Sequence, residues 1–201
     1  MTGIEKACFL IWKLMQLSLL FHLLCLCGLI VFGIGPAWQT IVALFLETVQ
    51  EEKHYSLKRA FTLWKSVIKH ANVRFWLFVF VMIGLGFNLH LATQFQSLFW
   101  FMISFIILMA MIWVIMIYIY MTFYGVSYDI RLWDNIKLAF ISVFLSFKQF
   151  LMMLTVIVGV GFITWQYKGL FIFMTFGLLV FLLDHVTAPN RSRIDGVIDG
   201  H

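Results

Sequence analysis

The sequence predicts an all-α, polytopic helical membrane protein with six transmembrane helices. Of its 201 residues, 63% are hydrophobic and only 11% are charged, and apolar runs near 20 residues recur along the chain. Soluble domains are about 45–50% apolar and about 25% charged, and a helix needs about 20 apolar residues to cross the hydrocarbon. The composition excludes disordered, collagenous, disulfide-rich and nucleic-acid-binding classes. It predicts a single transmembrane domain over residues 1–201, in contact with the lipid bilayer and not with nucleic acid.

The first predicted span covers residues 14–34, which carry no Lys, Arg, Asp or Glu. That run is longer than the about 7–15 apolar residues of a signal peptide, so we expect it to be retained. The turn Gly33–Pro36 ends this span, since proline favours the first position of a following helix. The second segment, residues 36–53, is either a crossing or a re-entrant piece, and its continuation through Gln50–Lys53 makes it long enough to cross.

Four further spans are predicted, at residues 75–92, 98–124, 148–165 and 169–187. With six crossings and an internal N-terminus, every Lys and Arg except Lys168 lies on the inner side. Cytoplasmic loops carry an excess of these residues, so this partition favours six crossings over five. The sequence therefore predicts that both termini are cytoplasmic.

Two amphipathic elbow helices are predicted on the cytoplasmic side. At residues 56–71, apolar side chains recur at the spacing of a helix that lies flat on the membrane surface, and basic side chains fill the remaining arc. At residues 134–147 the pattern returns. An ordinary positive-inside loop that is helical is the alternative interpretation. The apolar stripes are Leu57, Phe61, Trp64 and Ile68, and Ile136, Phe140, Val143 and Phe147. The residues predicted to contact the membrane surface or a partner are Lys58, Arg59, Lys65, Lys69, Lys137 and Lys148.

The two elbows indicate an internal repeat with an offset of 79 residues. Identical residues stand at four positions: Lys58 and Lys137, Ala60 and Ala139, Phe61 and Phe140, and Lys69 and Lys148. Because both elbows lie on one side, the copies would be related by an axis along the membrane normal. Matches in apolar, low-complexity sequence also arise by chance. The glycine pairs Gly84/Gly86 and Gly159/Gly161 are expected to allow close helix approach, as small residues do in membrane bundles.

Polar residues within the apolar runs are the candidates for function, because they are costly in hydrocarbon. His22 lies near the middle of the first span, and Gln39, Asn88 and His90 lie near the outer ends of the second and third. These four are the candidates for a polar pathway, and Gln39, Asn88 and His90 could share one shallow pocket with Thr40, open to the outside. A structural hydrogen bond is the commoner role of a histidine such as His22. Glu47 and Asp184, near inner span ends, are expected to pair with Lys13 or an elbow lysine.

The sequence shows no motif that specifies chemistry. It has no phosphate-binding glycine loop, no His-Glu-x-x-His and no G-x-S-x-G. The pair Cys25 and Cys27 lacks the spacing of a zinc site and points to different helix faces, so we expect reduced thiols. We predict no catalytic residue, no cofactor and no metal, and an enzyme is therefore disfavoured.

The Gly33-Ile34-Gly35-Pro36-Ala37 turn, the apolar helix after it and the basic Phe61–Lys65 segment resemble the YesL-like family, small bacterial membrane proteins that contain a domain of unknown function. The resemblance covers roughly residues 10–75. It departs from the family pattern at Phe32 or Gly33, where one threonine is expected, and at Glu51–Lys53, where glycine is usual. The resemblance implies the bacterial cytoplasmic membrane and an association with sugar ABC-uptake systems, and it implies no catalytic residues.

These observations lead to two expectations for function. The first is a non-enzymatic accessory or scaffold component whose cytoplasmic elbows bind a membrane protein partner, such as a sugar ABC importer. The alternative is a small secondary transporter or channel with a path lined by His22, Gln39, Asn88 and His90. An enzyme acting on lipid or glycan is a third class, but it lacks a nucleophile and base at usable spacing.

Overall fold

The computed structural model describes residues 3–49, 56–128 and 130–198, and these form eight helices. The all-α prediction is confirmed. The helices, in chain order, are α1 Gly3–Cys27, α2 Ile34–Val49, α3 Leu57–Thr93, α4 Leu98–Ser127, α5 Leu132–Leu145, α6 Phe147–Gln166, α7 Leu170–Phe173 and α8 Thr175–Ile198.

Four of the described helices are long and apolar enough to span a membrane: Ala7–Cys27 within α1, then α3, α4 and α6. The chain itself covers little of their apolar surface, since only 6% of the most apolar window of α3 and 11% of that of α4 are buried. Such exposed apolar area exceeds what a soluble monomer presents. The chain is therefore a helical protein with several membrane-spanning candidates.

The first helix ends earlier than predicted, at Cys27 rather than residue 34. Residues 28–33 form a tight turn in which Leu29 and Ile30 adopt left-handed φ angles of 56° and 62°. The turn lies so close to the end of α1 that a side chain at Gly28 or Gly33 would collide with backbone atoms. Glycine is needed at both positions because any Cβ would push the turn away from the helix.

The first predicted elbow is not a separate helix. Residues 57–93 form one continuous helix of 37 residues, about 55 Å long at the usual rise. The predicted apolar stripe divides between two environments: Trp64 is buried and Ile68 packs on the core, whereas Leu57 and Phe61 are exposed. The prediction overlooked that no Pro or Gly stands between residues 57 and 83 to interrupt the helix.

Helix α2 packs along the N-terminal half of α3, in antiparallel orientation. At one end, a Cβ added at Gly35 would lie 2.6 Å from the Cβ of Phe75. At the other end, Arg59 forms a salt bridge with Glu47, with 2.8 Å between Nη2 and Oε1. The apolar half of α3 therefore extends beyond α2 instead of lying beside it.

The second predicted elbow is a separate helix, α5, and a single extended residue, Ser146, divides it from α6. Its buried face differs from the predicted stripe. Val143 is buried, but Phe140 and Phe147 are exposed, and Asn135 and Ser142 are buried in their place. Ser142 and Asn135 can be buried against α4 because each forms a hydrogen bond with that helix.

The glycine pairs do not mediate helix contacts within the chain. A Cβ added at Gly84, Gly86, Gly159 or Gly161 would meet no atom within 4 Å. The expectation of close approach was therefore wrong for this chain. Both glycine pairs lie on helix surfaces that the other described helices do not contact. The spacing of the glycines in the sequence does not indicate which surface of a helix is contacted.

The last predicted span, 169–187, is interrupted at Met174, which separates the short α7 from α8. Helix α8 then continues through Pro189 to Ile198. Its first half packs on α1, where the backbone N–H of Gly177 donates a hydrogen bond of 2.9 Å to Ser18 Oγ. The main core joins α1, α2, the second half of α4, α5 and α8, and its largest fully buried side chains include Tyr120, Phe123 and Tyr124 of α4.

Candidate functional site

Three of the predicted contact lysines form one stripe on α3. Lys58, Lys65 and Lys69 stand at i, i+7 and i+11, which places them on a common helix face. All three are exposed, and this face lies opposite the buried Ala60. Lys65 Nζ lies 4.8 Å from the ring centroid of the exposed Phe61, within cation–π range. We call Lys58, Phe61, Lys65 and Lys69 the basic stripe.

The other predicted basic residues are exposed but separate. Arg59 lies on a different face of α3 and ties it to α2 through Glu47. Glu47 thus pairs with an arginine of the predicted elbow and not with a lysine. Lys137 lies on α5, whereas Lys148 belongs to the first turn of α6; both are exposed.

His22 packs in an aromatic cluster between α1, α7 and α8. Its ring lies edge-on to Phe171 and Phe176, at centroid distances of 5.5 and 5.3 Å. Nδ1 lies 2.8 Å from the carbonyl oxygen of Ser18, and since a carbonyl only accepts, Nδ1 donates. Nε2 is buried without a hydrogen-bond partner.

The structure does not bring the four proposed pathway residues into one pocket. Gln39 is buried on α2, and α2 runs from Phe75 towards Arg59. Asn88 stands on the exposed surface of α3, about 20 Å beyond Phe75 along the helix axis. Its amide donates to the carbonyl of Gly84 in its own helix, at 2.8 Å. His90 is also exposed.

The most connected polar group in the described structure joins α4, α5 and α8, and the sequence analysis did not identify it. Tyr124 donates a hydrogen bond of 2.7 Å to the hydroxyl of Ser142. Asn190 Nδ2 donates to the hydroxyl of Tyr120 at 2.9 Å and to the carbonyl of Ser142 at 3.4 Å. Asn135 Nδ2 donates to the carbonyl of Met121 at 3.0 Å. We call these five side chains the α4–α5–α8 cluster.

The cluster has unused acceptors. Asn135 and Asn190 are completely buried, and the Oδ1 atom of each has no hydrogen-bond partner in the structure. A buried polar atom without a partner costs about 1–3 kcal/mol, unless water or a ligand satisfies it. The sequence signal was available: Tyr120, Tyr124 and Tyr128 recur every four residues along the end of the mainly apolar α4 and at the residue just after it.

The cluster continues into an open cavity of about 370 Å³ at the end of α4. Tyr128 donates a 2.6 Å hydrogen bond to Asp195 Oδ1, and both line the cavity together with Arg191. Burial, followed by the hydrogen bond to Asp195, raises the pKa of Tyr128 above its ordinary value. Arg191 pairs with Asp184 of its own helix, so Asp184 finds an arginine and not the expected lysine.

Arg74 is a cation in a polar-poor environment between α3 and α4. Its Nε and Nη1 atoms are buried and have no hydrogen-bond partner. The guanidinium occupies the space beside Gly125, where any added Cβ would collide with it. Helix α4 therefore accommodates this arginine because residue 125 lacks a side chain.

Among the described residues, no three His, Cys, Asp or Glu side chains come together as metal ligands would. Cys8 and Cys27 are exposed, and Cys25 is buried; all three are free thiols. The arrangement of the described polar residues supports hydrogen bonding and ion pairing at helix ends.

Comparison with known proteins identifies a family for part of the chain. No curated protein and no solved structure is significantly similar to it. Residues 14–89 match the family model described as protein of unknown function, DUF624. The match includes the α1–α2 turn and the basic stripe, the features on which the predicted resemblance rests. DUF624 is the domain family of YesL-like proteins, whose function is unknown, so the predicted resemblance is confirmed over residues 14–89.

Proposed function

We propose that the chain is a non-enzymatic integral membrane component that binds a partner protein through the basic stripe of α3. The observation that carries this proposal is that Lys58, Lys65 and Lys69 share one exposed face with Phe61, while the opposite face of the same helix packs on α2. An aromatic ring among cations suits an acidic protein surface, because the ring adds contact area and the cations select the charge.

The proposal includes the location and topology of the protein. It lies in the bacterial cytoplasmic membrane and crosses six times, with both termini in the cytoplasm. The exposed apolar surfaces of α3, α4 and α6 support embedding in lipid. The distribution of Lys and Arg supports the orientation, because it leaves only Lys168 outside. Two of the matched pairs have similar environments, which supports the internal repeat. Ala60 and Ala139 are both fully buried, and Phe61 and Phe140 are both exposed.

The family resemblance suggests the identity of the partner, a sugar ABC importer. Photo-crosslinking in cells tests this. A photoreactive residue at Lys65 or Lys69 should capture the same protein, identified by mass spectrometry. A photoreactive residue at Ser66, which is exposed on another face of the same helix, should capture much less of it. With the photoreactive residue at Lys65, the double variant Lys58→Gln, Lys69→Gln should lose the product, and the corresponding double arginine variant should keep it.

Capture of lipid alone from Lys65 and Lys69, together with unchanged sugar uptake after gene deletion, would contradict the proposal. Equal capture from Ser66 would show that the basic stripe does not select the partner.

A second candidate function, a small transporter or channel, is favoured by one observation: the buried Nε2 of His22 has no partner. Reconstituted vesicles test it. Solute or proton flux that is abolished by His22→Ala, while the protein remains folded by thermal melting, would support transport. Flux that is absent or unaffected by this change would exclude His22 from such a path.

A further inference from the structure

A groove of about 620 Å³ lies between α6 and the α7–α8 segment. Its wall residues are Ile157, Val160, Gly161, Thr164, Trp165, Lys168, Phe171, Thr175, Phe176 and Leu179. Its volume falls within the range of small-molecule sites, about 300–1,000 Å³. The groove uses none of the residues of the basic stripe or of the α4–α5–α8 cluster.

The two threonine hydroxyls in the groove wall donate their hydrogen bonds within the wall. Its two threonines satisfy each other: Thr175 Oγ1 donates to the carbonyl of Leu170 at 3.0 Å, so Thr164 is the donor in the 2.9 Å contact between the two hydroxyls. The hydroxyl hydrogens of both threonines are therefore already used within the wall, most of the remaining wall is apolar, and an apolar chain is the occupant that the groove suits.

One end of the groove differs, because Lys168 is the only charged residue that lines it. Lys168 is exposed and forms no salt bridge with another described residue. Trp165 beside it is 81% exposed. An exposed tryptophan next to a lysine at a helix end is typical of the level of lipid headgroups. The groove thus combines an apolar trough with a single cation at its mouth.

Gly161 keeps the groove open. A Cβ at this position would meet no atom within 4 Å, because the space beside it belongs to the groove. Gly159 also faces open space but does not line the groove. This difference provides a matched pair of substitutions.

We infer that this groove is a binding site for an anionic phospholipid, with one acyl chain between α6 and α8 and the headgroup phosphate against Lys168. Charge complementarity between Lys168 and a phosphate selects the anionic headgroup, and the apolar wall suits an acyl chain.

Fluorescence quenching by brominated lipids tests the inference on the full chain in phosphatidylcholine vesicles. The vesicles contain a minor, equal fraction of either brominated phosphatidylglycerol or brominated phosphatidylcholine. The contribution of Trp165 is the difference between the protein and its Trp165→Phe variant. We expect the anionic lipid to reach the Trp165 site with about a fivefold preference, the effect of one lysine near a headgroup.

Lys168→Gln should abolish the preference, and Lys168→Arg should keep it. Gly161→Leu should reduce the quenching of Trp165 by both lipids, because its side chain fills the trough, while Gly159→Leu should leave the quenching unchanged. Equal quenching by the two lipids, or a preference that survives Lys168→Gln, would overturn the inference. Shielding of Trp165 from both lipids, together with a dimer that Gly161→Leu disrupts, would assign the groove to a second copy of the chain and also overturn it.

Discussion

At the residue scale, Gly125 and Arg74 depend on each other. A Cβ at residue 125 would displace the Arg74 guanidinium, so Gly125→Ala should destabilise the protein by about 1 kcal/mol, the lower end of the cost of overpacking, because the flexible end of the arginine can shift. In an Arg74→Ala background the same change should be neutral or stabilising by up to about 1 kcal/mol, because alanine is the better helix former. Thermal unfolding in detergent measures this double-mutant cycle. A cost of Gly125→Ala that is equal in both backgrounds would show that Arg74 does not occupy this space.

Asn190 is the residue on which the α4–α5–α8 cluster converges. Its amide donates to the hydroxyl of Tyr120 and the carbonyl of Ser142, so Asn190→Ala should cost about 1–3 kcal/mol by leaving buried groups unpaired. Asn88→Ala is the matched control, because that exposed amide bonds only to its own helix. If both changes cost the same in a thermal or denaturant melt, the cluster does not stabilise the fold.

Tyr128 links stability to alkaline pH. Burial and the hydrogen bond to Asp195 raise its pKa, so the folded state keeps a proton that the unfolded state loses near pH 10. The resulting stabilisation is complete below about pH 10 and is lost as pH rises through the folded pKa. The stability advantage of the protein over Tyr128→Phe, measured by denaturant melts at a series of pH values, should therefore shrink between about pH 10 and pH 12. A constant advantage across this range would contradict the shift.

At the element scale, the clearest difference from the sequence prediction is the continuity of α3. The prediction divided it at residue 71 because basic residues give way to apolar ones there. A change of surroundings along a helix does not require a change of backbone direction, and nothing between Leu57 and Ile83 breaks helical hydrogen bonding. By contrast, the predicted boundary at residue 147, between the second elbow and the next span, lies within one residue of the break at Ser146.

Spin labels measure this continuity. Labels at Thr62→Cys and Ile83→Cys, both exposed positions, in a variant without Cys8, Cys25 and Cys27, should lie about 32 Å apart along a continuous helix. An elbow bent at a right angle near residue 73 would bring the same helix positions to about 22 Å. Double electron–electron resonance in vesicles distinguishes the two distances, and the shorter one would refute a straight α3.

At the scale of the whole molecule, composition and hydropathy were sufficient to predict an all-α membrane protein. The turn at Pro36, the apolar helix after it and the basic Phe61–Lys65 segment together indicated the family that residues 14–89 match. The α4–α5–α8 cluster was not predicted, because its members lie up to 70 positions apart and each is unremarkable alone. Packing also altered the register of α2 against α3, which depends on Gly35 fitting against Phe75. Hydropathy sets the length of spans but not their axial offsets.

The position of the α1–α2 turn distinguishes two crossings by α1 and α2 from a re-entrant pair. Its tip is apolar and exposed, with Leu29 82% accessible. Six crossings require the tip to emerge on the outside, whereas a re-entrant pair would leave it in lipid. With Val31→Cys, labelling by an impermeant maleimide in intact cells supports six crossings. Absence of labelling, while Gln94→Cys in the same background is labelled, would reduce the count to four without changing the side of either terminus.

The central claim is that the basic residues face the cytoplasm while the apolar helices cross the bilayer, and one labelling experiment tests it most directly. Single cysteines at Gln94, Lys168, Lys65 and Arg193 replace the native ones, and intact cells receive an impermeant maleimide. The account predicts labelling at residues 94 and 168 in intact cells, and at residues 65 and 193 only after permeabilisation. Labelling of residue 193 in intact cells would contradict it.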